Sequence, residues 1–409
     1  MSDVVSLRKQ TSPAELADDL PVLPDTRTEI LLRVPPQPRS LQRVSHVCRS
    51  WRRLVTDPRF LRSFRALHNG TPPLVGVFHS NIYEGVRRFT PTAGDDPMPA
   101  RVFDCPAHWR VLDSRHGRVL CLAMARDATA SAMLVVWDPI TRMCEHIQMP
   151  PDLVVYDYGK LGGAVVCRAG GGGDGEGRHG DCRSGPFQVV ILIGRAPRAL
   201  VSVYSSHTGG WSEVISFDGL PEWADVMPTP GAVIRNTLYH PVFGCHTLAF
   251  DLDSKAFAMI PHPPEAKWMD VQVMRLDGGR LGLVVADIFD FSLQLWAPED
   301  AGDWVLRWTV QLDTLEPLKA AAAAQPGAGD LRDVKLIGAC DYGNVIFLWT
   351  RLGSFMFYLD TMELKKLPYD STMMLGGTLY PYESFFAPLQ VSISHIFLQA
   401  CIYIPDFMK

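Results

Sequence analysis

Paired cysteines, long apolar runs and an excess of positive charge are all missing from this chain. Its nine cysteines, at positions 48, 105, 121, 144, 167, 182, 245, 340 and 401, stand singly with no C-x-x-C pair. An odd, scattered set argues against a disulfide framework or a zinc site and fits reduced thiols. No stretch approaches the roughly 18 apolar residues of a membrane span, and Met1 to Gln10 carries no long apolar core of a secretory signal. With 39 basic against 44 acidic side chains, net −5, no global basic field points to nucleic acid. The expectation is a soluble protein of the cytoplasm and/or nucleus, with neither a membrane nor a nucleic acid as partner.

What is present is a 409-residue chain with 47% apolar residues, enough for one large core and a second, smaller unit. The smaller unit is the more distinctive. Leu41, Val44, Cys48, Trp51 and Val55 recur at helical spacing, so one helix with a continuous apolar seam is expected from Ser40, which suits its N-cap. Ahead of it, Glu29-Ile30-Leu31-Leu32-Arg33-Val34 reads as the end of a shorter helix stopped by Pro35-Pro36. Behind it, Asp57-Pro58 offers an N-cap and a first-turn proline for a third helix through Phe60, Leu61 and Phe64. Three helices in about 45 residues bury little alone, so the module is expected to dock.

From Pro72 onward, helical periodicity gives way to short β-rich runs punctuated by Gly, Pro, Asp and Asn. A two-part unit recurs there. Its first part is an apolar run, usually opened by glycine: Gly117–Leu122, Phe187–Leu192, Gly231–Ile234, Gly279–Val285 and Gly343–Trp349. Its second part is a strand, a turn and another strand, anchored by an aromatic at Trp137, Tyr204, Phe250, Trp296 and Tyr358. The anchors are 67, 46, 46 and 62 residues apart, and both long intervals hold an insertion, Ala169–Gly185 and Ala320–Gly329. Without them the period is about 45 to 55 residues, that of a four-stranded propeller blade. Adding the partial unit Leu74–Phe89 gives six or seven blades, closed by pairing early strands with late ones. A β-sandwich explains the repeated unit less well.

The expected organisation is therefore α+β multidomain: a flexible 1–19, an all-α three-helix module over 20–66, an all-β propeller over 72–387 and an atypical apolar tail over 388–409. That tail is either a closing strand or a segment foreign to the fold.

The spacing Glu29-Ile30-Leu31-x-Arg33-x-Pro35-Pro36, then Val47-Cys48-x-x-Trp51-Arg52-x-Leu54-x-x-Asp57-Pro58-x-Phe60, resembles the F-box. Pro72-Pro73-Leu74-Val75-Gly76, Val111–Leu120, Trp137-Asp138-Pro139 and Gly185–Val190 resemble the β domain that follows the F-box in large plant families, those of grasses in particular. The resemblance spans about residues 20 to 387. It departs at Thr26-Arg27-Thr28, where the family carries an apolar pair, and Leu20-Pro21 is read as a displaced start.

The resemblance implies a substrate receptor of a cullin-based ubiquitin ligase rather than an enzyme, with no cofactor and no metal. Ile30, Leu31, Pro35, Val47, Cys48, Trp51 and Leu54 match the positions that bind the Skp-type adaptor and, through it, a cullin. The β domain would present loops on one face of the ring to a target protein.

Three other readings exist. Eight arginines between Arg39 and Arg65 against the single acid Asp57 suit a helix-turn-helix DNA reader. A propeller enzyme or carbohydrate-binding protein would use the ring's centre, and a paralogue with a polar first helix would no longer bind the adaptor.

Other chemistry is declined on pattern. Gly170–Gly177 lacks the Lys-Ser/Thr ending of a phosphate loop. His179, Asp181 and Cys182 have no second ligand pair. His116 beside Arg115 is read as a turn residue rather than an acid or base, Asp95-Asp96 and Glu299-Asp300 as loop tips, and the repeated aromatics as packing between blades.

Overall fold

The computed structural model describes residues 24–385, apart from 38, 69, 82–84, 93–102, 107, 124–131, 151–152, 154–160, 168–184, 300–301, 325–332 and 368–376. Leu20-Pro21, Asp95-Asp96, Asp300, the glycine-rich stretch with His179, Asp181 and Cys182, and the tail after 388 lie outside the described residues. The chain divides into two compact units, a helical one that also takes in Phe385 and a β unit spanning Gly70–Ser384.

The helical unit holds α1 (Pro24–Leu32), α2 (Ser40–Val47), α3 (Arg49–Val55) and α4 (Pro58–Leu67). The expected single helix from Ser40 is two, because Cys48 is extended (φ −159°, ψ 173°). The break frees the Ser45 carbonyl, which accepts instead from Arg52 Nε at 3.2 Å. Ser40 is the first helical residue rather than the cap, and Arg39 precedes it without a side-chain cap bond. The third expected helix forms as read: Asp57 Oδ1 accepts from the N–H groups of Arg59 (2.7 Å) and Phe60 (3.3 Å), with Pro58 in the first turn. Leu31, Leu41, Val44, Val55, Phe60 and Phe64 form the core of the unit, and Phe385 meets Phe64 edge-on at 6.4 Å.

In the β unit, the first strands are β1 (Leu74–Asn81) and β2 (Gly85–Pro91). Blade I is β3 (Trp109–Arg115), β4 (Arg118–Ala123), β5 (Met133–Trp137) and β6 (Cys144–Gln148). Blade II is β7 (Leu161–Cys167), β8 (Phe187–Arg195) and β9 (Arg198–Ser205), with β10 (Gly210–Trp211) and β11 (Ile215–Phe217) both pairing β9. Blade III is β12 (Ala232–Ile234), β13 (Thr237–Val242), β14 (His246–Asp251) and β15 (Phe257–Pro261).

Blade IV is β16 (Asp270–Leu276), β17 (Arg280–Asp287), β18 (Ser292–Pro298) and β19 (Trp304–Gln311). A short helix, α5 (Glu316–Ala323), takes up the alanines that the sequence marked as an insertion. Blade V is β20 (Val334–Ala339), β21 (Val345–Thr350), β22 (Gly353–Tyr358) and β23 (Glu363–Lys366). Blade VI joins β24 (Gly377–Glu383) to β1 and β2, in the order β2-β1-β24. The ring thus has six blades and closes between early and late strands, with β1 antiparallel to β24 from Leu74↔Glu383 to Asn81↔Gly377. The closing strand precedes the apolar tail.

All five aromatic anchors fall on the third strand of a blade. Four to six residues after each anchor the chain passes through a left-handed residue: Arg142 (φ 64°), Gly209 (68°), Lys255 (59°), Gly302 (89°) and Met362 (54°). That turn joins third to fourth strand, and it is why the unit repeats in sequence. Trp137, Phe250 and Trp296 are buried, while Tyr204 and Tyr358 are half-buried. The glycine-led run marks the second strand in four blades. Gly231–Ile234 differs, since Ala232–Ile234 is the first strand of blade III and Thr237–Val242 its second.

The core lies in the seams between blades. The seam between blades VI and I is aromatic: Phe78 packs edge-on to Trp137 at 5.8 Å and to Tyr382 at 6.0 Å, and Phe89 stacks on Phe103 at 3.9 Å. Between blades V and VI, Gly338 (φ 157°) sits at a bulge of β20 where any Cβ would run into the Leu379 carbonyl of β24.

Candidate functional site

Motif, ring centre and ring face present three distinct chemistries. Of the seven motif positions on the helical unit, Ile30 (54% exposed) and Val47 (42%) point to solvent, and Pro35 is exposed. Trp51 and Leu54 are half-buried against the unit's own core. Leu31 and Cys48 are buried, so they set the shape of the surface rather than form it. The break at Cys48 lets Val47 face outward while Cys48 faces inward, one residue apart. Ile30, Pro35 and Val47 are thus the motif positions that the described residues leave to solvent.

At the ring's centre the fold gathers groups that sequence spacing did not reveal. Arg115, at the end of β3, donates from Nε to both Asp113 oxygens (3.0 and 2.9 Å), from Nη1 to Asp341 Oδ1 (2.6 Å) and from Nη2 to the Gly231 carbonyl. One guanidinium therefore ties blades I, III and V together. Asp113 Oδ2 also accepts from Val165 N of blade II at 2.8 Å. Burial pushes Asp113 up to about 6 against the pull of Arg115. Burial acts to lower the pKa of Arg115, yet Asp113 and Asp341 outweigh it and the pKa rises.

Glu383, closing β24, accepts from the Asp341 and Tyr342 N–H groups at 2.9 and 3.3 Å, and burial pushes its carboxyl up to about 8. His240 is driven down to about 4 by burial, so it is neutral at pH 7. These groups are occupied with one another, which makes the centre a polar lock between blades. His116 is the turn residue expected (φ 54°), its Nδ1 3.4 Å from Tyr342 Oη. Burial also pushes Cys121 and Cys340 well above the ordinary thiol range, so neither is a ready nucleophile. Among the described residues no group of three His, Cys, Asp or Glu is placed to hold a metal, and no helix is long and apolar enough to cross a membrane.

The third site was not read from the sequence. Strand alternation puts the second-to-third turns and the blade-to-blade connections at one end of every blade. There Trp223 (connection II to III), Phe243 (turn β13–β14) and Trp268 (connection III to IV) are 43%, 50% and 55% exposed. They touch one another: Trp223 and Trp268 centroids lie 5.0 Å apart, Phe243 and Trp268 5.7 Å. Backbone bonds fix the three loops, with Phe243 N donating to Asp225 O (2.9 Å) and Trp268 N to Gly244 O (2.8 Å). Gly244 (φ 104°) must be glycine, because a Cβ there would enter the Trp223 ring.

Beside the rings runs a cleft of about 190 Å³, lined by Met227, Pro241, Phe243, His262, Trp268 and Asp270 among others. The available signal was that these aromatics fall between anchors, on loops rather than in the repeated strands.

Comparison with known proteins supplies the family. The family described as "F-box protein AT5G49610-like, beta-propeller" matches residues 110–382, and the one described as "F-box-like" matches 24–65. The chain is 22% identical over 239 residues to the F-box protein At3g16210 of Arabidopsis thaliana, covering 58% of this chain and 59% of that protein. It is 21% identical over 300 residues to the F-box protein At3g22650 of the same plant, covering 72% and 75%. The chain thus spans less than two thirds of the first of these relatives. Among solved structures, the periplasmic gluconolactonase PpgL of Pseudomonas aeruginosa aligns at a TM-score of 0.40 and 12% identity, covering 73% of this chain and 85% of that one. A likeness that low bears on neither fold nor activity.

Proposed function

Because this chain belongs to the family of plant F-box proteins that carry an AT5G49610-like β-propeller, we infer that it is the substrate receptor of a Skp–cullin–F-box ubiquitin ligase. At the level of the family, that pairing of domains is the arrangement of a substrate-recognition subunit, and such proteins are typically adaptors rather than enzymes. The observation that carries the reading is the outward apolar pair Ile30 and Val47, with the exposed Pro35 and the half-buried Trp51 and Leu54, which the described residues of the unit leave uncovered.

In this reading the Skp-type adaptor covers that face and the propeller holds a target protein. No covalent step falls to this chain; holding the target near the charged ubiquitin carrier raises its effective concentration. The compartment proposed is the cytoplasm and/or nucleus. The enzyme reading gains nothing from the ring's centre, where Asp113, Asp341 and Glu383 are already engaged by Arg115 and backbone N–H groups.

The test is retention of the full chain on immobilised Skp-type adaptor, alone and with cullin, against the Ile30→Asp/Val47→Asp variant. Wild type is retained and the variant is not. A folded wild type that fails to bind overturns the reading and leaves the paralogue that has lost its adaptor.

A further inference from the structure

The aromatic cleft on the ring face has a charge pattern that names its partner. Residues 219–231, 243–245, 262–270 and 287–291, which build and flank it, contain six acids, Glu222, Asp225, Glu265, Asp270, Asp287 and Asp290, against one base, Lys267. Asp270 lines the cleft itself, its Oδ2 accepting from Leu336 N at 2.6 Å. So does His262, only 8% exposed, whose Nε2 bonds Thr247 Oγ1 at 2.8 Å while its Nδ1 has no partner. Burial holds His262 down to about 4, so the ring is neutral at pH 7.

A carboxylate, a surrounding excess of acids and the faces of exposed indole and phenyl rings are the complement of a planar, donor-rich cation. A guanidinium stacks on aromatic faces, and it donates several hydrogen bonds at once. A surrounding excess of acids draws a basic chain in and repels an acidic one.

We propose that the cleft around Trp223, Phe243 and Trp268 binds an arginine-containing basic segment of a partner protein. The proposal deepens the receptor reading by giving the chemical class of target, yet it stands apart from adaptor binding. Loops held by backbone bonds present the site already formed.

The experiment titrates full-length protein with three fluorescein-labelled heptapeptides: Gly-Arg-Leu-Arg-Leu-Arg-Gly, its citrulline counterpart, and its glutamate counterpart. The arginine peptide binds, the citrulline peptide binds about tenfold more weakly or less, the glutamate peptide does not bind, and affinity falls with added salt. Trp268→Ala abolishes binding. The exposed charge-reversal variant Glu222→Lys/Glu265→Lys/Asp290→Lys, which leaves the core untouched, weakens it at least tenfold.

Equal binding of the arginine and citrulline peptides, no binding of the arginine peptide, or unchanged binding by both variants overturns the proposal. So does a dimer in sedimentation that the charge-reversal variant dissociates, which would assign the face to a second copy. Adaptor retention by the same preparations reads the receptor hypothesis separately: peptide binding lost with adaptor binding intact defeats only this inference.

Discussion

The helical unit and the ring both expose large apolar side chains, but for different physical reasons. In the helical unit, six side chains from four short helices form the core, and among the described residues the motif residues Ile30 and Val47 stay outside it, 54% and 42% exposed. In the ring, each seam is filled by side chains from two blades, and Trp223, Phe243 and Trp268 stay exposed because they sit on connections beyond the sheets. Exposure in the first case follows from size, and in the second from position. Only the first is written into sequence motifs of fixed spacing.

The two regions should also fail separately, and the largest effect belongs to the ring's closing seam. Tyr382→Ala empties a fully buried site that touches Phe78, Phe89 and Phe103. It should cost about 3–5 kcal/mol in urea unfolding followed by tryptophan fluorescence, while leaving adaptor binding by the remaining folded protein intact. Arg115→Met should cost about 3 kcal/mol or more, because it leaves Asp113 and Asp341 facing one another at the centre without their shared cation. The double variant Arg115→Met/Asp113→Leu should recover part of that loss.

A pH profile sharpens the contrast, since both raised carboxyls described above, Asp113 and Glu383, are in the ring, and Glu383 is raised further. Glu383 holds its proton more tightly when folded, about 8 against an ordinary 4.5, chiefly through burial, with Asp341 adding. Its contribution is thus present at low pH and lost as pH rises through about 8. His240 and His262, held near 4 when folded, still lose protons in the unfolded state around pH 6.5 and add a rise common to both proteins, so the comparison isolates Glu383: toward pH 8, wild-type stability should fall relative to that of Glu383→Gln. The smallest effect belongs to the helical unit. Asp57→Ala removes the cap of α4 and should cost about 1 kcal/mol, read as lost helicity with the ring's unfolding midpoint unchanged.

Much of this was legible in the sequence where the governing interactions are local. The Asp57-Pro58 cap, the stop at Pro35-Pro36 and the third strand of blades I to V follow from neighbouring residues, because a turn with a left-handed residue comes four to six positions after each anchor. The break at Cys48 was not legible. Leu41, Val44, Cys48, Trp51 and Val55 keep helical spacing across it, and the compensating bond from Arg52 to the Ser45 carbonyl is a side-chain choice that periodicity does not record.

Which strand of blade III the glycine-led run forms was not legible either. Gly231–Ile234 has the composition of a second strand, but the short hairpin to Thr237–Val242 makes it the first. Arg115 was passed over in favour of its neighbour His116, since its partners Asp341 and Gly231 are brought to it only by ring closure. The aromatic cleft stayed hidden in the same way, as three loops from successive connections meet only once the blades are ordered.

The most direct measurement is a calorimetric titration of purified Skp-type adaptor into full-length protein, run in parallel on wild type, Ile30→Asp/Val47→Asp and Trp268→Ala, each checked for helicity. Wild type and Trp268→Ala should bind the adaptor with equal affinity and the Ile30/Val47 variant about a hundredfold more weakly or not at all, as expected for charges placed in a buried apolar contact. Equal binding by the folded Ile30/Val47 variant would contradict the account, because the adaptor would then be using some surface other than the one the helical unit leaves uncovered.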